Sequence, residues 1–128
     1  AKMMESSVMI NNKNGTFTTK ALPKEAQLSP VYGISVGDYD GDGKADIITG
    51  GNFYESKPEV GIYDASYGLF LKGDGKGNFV TVNEKQSGIL VKGQVRDIIE
   101  LKAGKKTLTI FARNNASPGI LINNKNSK

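Results

Sequence analysis

The stretch VGDYDGDGKADIITGG, Val36 to Gly51, places Asp38, Asp40, Asp42 and Asp46 within nine residues, with glycines between them and an apolar run behind. The chain as a whole is basic, with 17 Lys and Arg against 13 Asp and Glu and a net charge of +4. Negative charge is therefore concentrated at one point against the overall balance. Two unit charges about 4 Å apart repel by on the order of 4 kcal/mol at an effective dielectric near 20. Four such carboxylates must splay into water or share a cation. Their spacing points to sharing. They stand at positions one, three, five and nine of a loop, and Gly41 and Gly43 fall where a tight coil needs backbone angles that other residues avoid. Alternate side chains then turn inward, and the carbonyl of Lys44, at position seven, can join them. Such a set offers oxygen alone, which suits a hard cation; calcium takes six to eight oxygens in loose geometry, whereas magnesium demands a stricter octahedron. The expectation is one Ca2+ per chain, held by Asp38, Asp40, Asp42, the Lys44 carbonyl and Asp46. The loop is not an EF-hand, because position twelve from Asp38 is Thr49 rather than Glu and the flanks alternate like strands. The bland alternative is a solvated acidic turn, since Asp-Gly pairs form ordinary turns.

Composition narrows the rest. The 128 residues suffice for one domain with a modest core. There is no cysteine and no histidine. That removes disulfides, thiol nucleophiles, Ser-His-Asp and Cys-His catalysis and the usual zinc sites. Transition metals, which favour imidazole or thiolate, have nothing to bind. The lysines are scattered and not interleaved with aromatics, so no nucleic-acid partner is expected. No apolar run is long enough for a membrane helix, and no membrane insertion is expected. No signal peptide is visible at Ala1, so the chain reads as a mature product or a piece of a longer one. Glycoside hydrolysis needs two carboxyls flanking one bond. Here the carboxylates converge on a point, and no enzyme is expected.

Outward from the acidic loop the sequence repeats itself. SVMINNKNGTF, Ser7 to Phe17, matches GLFLKGDGKGNF, Gly68 to Phe79, and GILINNKN, Gly119 to Asn126, opens a third copy. An offset of 62, the distance from Phe17 to Phe79, also carries Ile48 to Ile110 and Asn52 to Asn114. Each unit reads as four short strands. The first holds Val8–Asn11, Thr16–Ala21, Tyr32–Val36 and Asp46–Thr49. The second holds Gly68–Lys72, Asn78–Val82, Gln94–Leu101 and Thr107–Ala112. Asn14-Gly15 is a hairpin signal, Thr107 to Ala112 alternates with period two, and Ile47-Ile48 and Ile98-Ile99 are apolar on both faces, as in sheets packed between sheets. No stretch has convincing helical periodicity. The expected fold is all-β: two four-stranded antiparallel β-propeller blades (about 7–52 and 68–115) with a linker at 53–67 and an extra strand at 119–123. Two blades cannot close a ring of typically 4–8, so the chain is expected to be a propeller fragment or to associate through its flanks. A compact sandwich of eight or nine strands is the alternative.

The linking segment NFYESKPEVGIYDASY is rich in aromatics. Tyr54, Tyr63 and Tyr67 are candidate ligand-binding residues, because rings stack on sugar faces and long ordered loops are often functional. The plainer reading is that they seal the gap between blades. In the second unit, the 62 offset places Glu100, Lys102, Gly104 and Leu108 where the four aspartates stand, so that loop is expected to hold no metal. GDGKGNF, Gly73 to Phe79, has the cation of Lys76 at position three counted from Asp74, and reads as a hairpin turn.

VGDYDGDGKADIITGG resembles the calcium-binding FG-GAP or VCBS repeat of integrin-α-type β-propellers, in which a D-x-D-G-D-G-x-x-D loop joins two strands of a blade. Asp38, Asp40, Asp42, the Lys44 carbonyl and Asp46 match its ligands one for one. GDGKGNF, GQVRDIIEL and FARNN are similar to the C-terminal blades of large extracytoplasmic bacterial VCBS-repeat proteins, and the similarity spans most of Val8 to Ile122. The resemblance implies a parent of about seven blades, secreted, on the cell surface or periplasmic. It implies a non-enzymatic structural or interaction module whose partners are the rest of the parent propeller or other copies of the chain. A lectin-like segment that binds glycan or protein is the alternative.

Overall fold

The protein is described by a computed structural model over residues 4–52, 67–104 and 106–124. Nine strands lie among the described residues: β1 Ser7–Asn11, β2 Phe17–Ala21, β3 Val31–Gly37, β4 Asp46–Gly51, β5 Leu69–Gly73, β6 Phe79–Val82, β7 Val95–Ala103, β8 Lys106–Arg113 and β9 Gly119–Asn124. Every paired strand is antiparallel to its neighbour. The all-β class and the strand count match the sequence reading, and the arrangement is consistent with a fragment of a β-propeller, with no closed ring among the described residues.

The division among sheets differs from the expected four, four and one. The sheets are β1-β2, β3-β4-β5-β6 and β7-β8-β9. The expected first blade is therefore cut between β2 and β3. The 53–67 segment joins two strands of one sheet, because β4 and β5 pair directly, with Ile48 opposite Phe70. The cause lies between β2 and β3. A single 3-10 turn, Lys24–Gln27, buries Ala26 in a cluster with Ile47 and Leu71. The chain then turns so closely past β4 that a Cβ on Gly51 would lie 1.7 Å from the Pro30 carbonyl oxygen. That crossing carries the chain from one layer to the next. A one-turn helix, Glu84–Ser87, also appears where none was expected; Asn83 caps it and Gly88 closes it in the left-handed conformation at φ 69°.

The β3–β6 sheet is the middle of three layers. Successive residues of a strand face opposite sides, and β4 uses this fully, because all six of its residues are buried. Ile47, with Leu71 of β5, faces β1-β2 and packs near Val8, Leu22 and Phe79. Ile48, with Phe70, faces β7-β8-β9 and packs on Ile89, Val95, Ile98 and Phe111. The second contact is close because two positions of the middle sheet lack side chains. A Cβ on Gly33 would meet Ile98 at 2.7 Å, and one on Gly50 would meet Val95 at 2.7 Å. Burying a side chain such as Ile98 or Phe111 contributes about 1.5–3 kcal/mol.

The internal repeat is visible in register. The β3–β4 pair shifts register between Val31 and Gly33, and the β7–β8 pair shifts between Val95 and Asp97. Ser35–Ile48–Phe70 in one sheet corresponds to Ile99–Ile110–Ile120 in the next. The two hairpins differ at their tips. Residues 38–45 separate β3 from β4, whereas β7 and β8 pair as far as Ala103 opposite Lys106.

Candidate metal centre

The β3–β4 tip is the acidic loop. It follows Gly37 and ends at Asp46, which are paired across the hairpin. Gly41 and Gly43 have φ of 82° and 81°, values a side chain would oppose, as the spacing predicted. The coil is stitched by its own carboxylates. Asp38 accepts from the backbone N–H of Gly41 at 2.7 Å and of Gly43 at 3.1 Å. Asp40 accepts from the N–H of Asp42 at 3.1 Å, and Asp42 from that of Lys44 at 2.9 Å.

These bonds bring three carboxylates together. Each of Asp38, Asp40 and Asp42 offers an oxygen, and the three oxygens lie within 4.8 Å of one another. Lys72 reaches them from β5. Its ammonium is hydrogen-bonded to Asp40 Oδ2 and stands 3.2 Å from Asp42 Oδ2. The Lys44 ammonium is 3.5 Å from the same Asp42 oxygen. The Asp42 carboxyl is held below its ordinary pKa, first by the Lys44 N–H and then by the two lysines. The Lys72 ammonium is held above its ordinary value by Asp40 and Asp42. A positive charge is thus already drawn to Asp40 and Asp42. The donors are hard oxygens at a point that attracts a cation, which fits calcium by chemistry.

Asp46 closes the foot of the loop. It is fully buried and stands outside the group of three. Oδ2 accepts from the Tyr39 N–H at 3.0 Å, and Oδ1 accepts from the Gly73 N–H at 2.9 Å. It ties the start of the loop to β5. Lys44, expected to offer its carbonyl, engages Asp42 through its N–H and ammonium.

Tyr39 is the second anchor. Its hydroxyl donates to Ser35 Oγ at 2.7 Å, and its ring meets Phe70 edge-on at 6.1 Å between centroids. Its carbonyl accepts from Asn123 Nδ2 of β9 at 3.1 Å. Burial, reinforced by Glu100, raises the phenol pKa well above its usual value. Sequence spacing could not nominate Lys72, which enters through the β4–β5 pairing. Tyr39 carried a faint signal as an aromatic ring inside an otherwise polar loop.

The other candidates fare differently. Tyr54 and Tyr63 lie outside the described residues. Tyr67 lines an open hollow with Glu25, Leu28, Leu69 and Val82, well apart in the chain from the acidic loop. The hairpin at Asp74 is a closed turn, as its sequence suggested. Asp74 accepts from the Asn78 side-chain amide at 2.5 Å and from the backbone N–H of Lys76 and Asn78 at 2.7 and 3.1 Å. These bonds lower its pKa to about 2. No helix among the described residues is long and apolar enough to cross a membrane.

Compared with known proteins, residues 4–49 match the family model of the FG-GAP-like repeat. The matched stretch covers β1 to β3 and the first four residues of β4, and contains the whole acidic loop. No curated protein and no solved structure matches the chain significantly.

Proposed function

We propose that the chain is a calcium-stabilised repeat module with a structural or interaction role, in which Asp38, Asp40 and Asp42 hold one Ca2+. The observation that carries this is the convergence of three carboxylate oxygens within 4.8 Å on a coil set by two left-handed glycines. The FG-GAP-like match over the same residues supports it. Calcium supplies positive charge and up to eight coordination positions; the Lys44 carbonyl and water complete the set. Asp46 and Tyr39 set the loop on β5 and β9, so that ordering the loop stiffens three strands together. The module belongs to a secreted, cell-surface or periplasmic protein of the VCBS-repeat kind, where calcium is plentiful and a weak site suffices. Extracellular modules bind with dissociation constants of about 10⁻⁴–10⁻³ M. A hundredfold excess of ion over that constant contributes about 2.7 kcal/mol.

The test is thermal melting in chelator and in excess calcium, for the wild type and for Asp40→Ala. Calcium should raise the wild-type melting temperature and leave the variant unmoved. A wild-type melt that is the same in both buffers would contradict the proposal.

A further inference from the structure

Three stretches of the chain open in the same way. Ile10–Asn14 and Ile122–Asn126 both read INNKN, and LFLKGDGKGNF, from Leu69, aligns with them. The fold puts β5 and β9 in the same place, because Ile48 lies opposite Phe70 as Ile110 lies opposite Ile120. Two of the three stretches carry a further strand. β1 pairs with β2, and β5 pairs with β6. Among the described residues β9 pairs with β8 alone. Its other edge presents backbone N–H and C=O groups that no described strand meets, the kind of edge that takes up an added strand.

The two completed hairpins say which strand fits and in which register. β2 begins Phe-Thr-Thr-Lys, and β6 reads Phe-Val-Thr-Val. Phe17 lies opposite Asn11 and Thr19 opposite Met9; Phe79 lies opposite Gly73 and Thr81 opposite Leu71. Asn11 and Gly73 both correspond to Asn123, and Met9 and Leu71 both correspond to Leu121. Both templates therefore ask for phenylalanine opposite Asn123 and threonine opposite Leu121. Opposed residues share a face, and Leu121 packs on the core between the middle and third sheets. An open hollow of about 220 Å³ lies on that side, lined by Tyr39, Phe70, Ile89, Leu121 and Asn123 among others. The incoming phenylalanine turns toward it, as Phe79 turns toward Ile47 and Leu71. The ladder also fixes which amides are used. The Asp74 N–H donates to the Asn78 carbonyl at 3.1 Å. Bonded and unbonded pairs alternate along an antiparallel ladder, so Lys72 and Val80 form a bonded pair. Ile122 stands where Lys72 stands, and its N–H points to the free edge rather than to β8.

We propose that the free edge of β9 receives an antiparallel strand of the β2 and β6 pattern from a following repeat unit of the same kind, with its phenylalanine opposite Asn123. The register comes from the two hairpins, so the inference does not rest on calcium binding. The probe is a synthetic peptide with the sequence of residues 76–83, KGNFVTVN, added to the full chain and followed by NMR. It should bind saturably with a dissociation constant below about 1 mM, slow hydrogen exchange at the Ile120 and Ile122 amides, and bring its phenylalanine ring against Leu121. Val80→Pro in the peptide and Ile122→Pro in the chain should each weaken binding about tenfold, because each deletes a ladder donor at the centre of the pairing. The chain variant keeps its bonds to β8, which an unchanged circular dichroism spectrum checks; should it fail to fold, the proline peptide still decides. No saturable binding, equal binding of the proline peptide, or protection that falls on β6 instead of β9 would overturn the proposal. So would a wild-type chain that light scattering shows to be a dimer the peptide does not dissociate, since a second copy would then hold the edge.

Discussion

Replacing Asp46 with alanine removes a buried side chain that ties the foot of the acidic loop to the backbone of β5. Asp46 is fully buried, and each of its oxygens serves one backbone donor, Tyr39 N–H at 3.0 Å and Gly73 N–H at 2.9 Å. Alanine reaches neither donor. A buried donor left without an acceptor costs about 1–3 kcal/mol, so two together give about 3 kcal/mol, with the Gly73 bond at the upper end because it is buried. That is a large part of the 5–15 kcal/mol that holds a typical domain together. It corresponds to a fall in melting temperature of roughly 12 °C for a chain of this size. Asp46→Asn should fall between wild type and alanine, because its amide keeps one acceptor oxygen and turns a donor toward the other N–H. The assay is urea unfolding followed by circular dichroism, in chelator so that no bound ion contributes. A loss below about 1 kcal/mol for Asp46→Ala, or an asparagine variant weaker than alanine, would refute the anchoring role.

Lys72→Met removes the ammonium that sits against Asp40 and Asp42. Calcium should then bind roughly three- to tenfold more tightly by titration calorimetry, because the ion no longer displaces or faces that charge; unchanged or weaker binding would count against the placement of Lys72. Thr109 is fully buried and its hydroxyl has no hydrogen-bond partner among the described residues, so Thr109→Val should stabilise the chain by about 1 kcal/mol in urea unfolding, and a destabilised variant would contradict that reading. Asp74 has a folded-state pKa lowered to about 2, below its unfolded value near 3.9. Its carboxylate therefore stabilises the fold above about pH 4, and that contribution fades as pH falls from about 4 to about 2. Urea midpoints of wild type and Asp74→Asn should differ at pH 5 and converge near pH 2, and a difference that widened on acidification would reverse the sign.

The strands were legible from local pattern because each is short, apolar in alternation and bounded by Gly, Asn or Asp. Val31–Gly37 and Lys106–Arg113 lie within a residue of the ends read for them. The loop glycines were legible too, since only a left-handed turn explains glycine at 41 and 43 between aspartates. The grouping into sheets was not. It depends on Ala26, a small residue in a polar turn that fits beneath Ile47 and Leu71, and on the β4–β5 pairing across the 53–67 segment. Neither leaves a periodic trace. Ile98-Ile99 looked buried on both faces, yet Ile98 is 4% and Ile99 51% exposed. Pattern reports that a face is apolar and cannot report whether a partner lies on it. The site divides in the same way. Asp38, Asp40 and Asp42 converge through turns of their own loop, so spacing found them. Asp46 and Lys72 are placed by contacts that involve β5; spacing picked out the first and gave no sign of the second.

The most direct measurement is titration of chelator-stripped chain with calcium in a calorimeter. A saturable isotherm with one ion per chain, lost in Asp40→Ala, is the predicted result. No saturable heat up to about 10 mM calcium, well above the range of weak extracellular sites, would mean that the three carboxylates form only a solvated turn closed by Lys72.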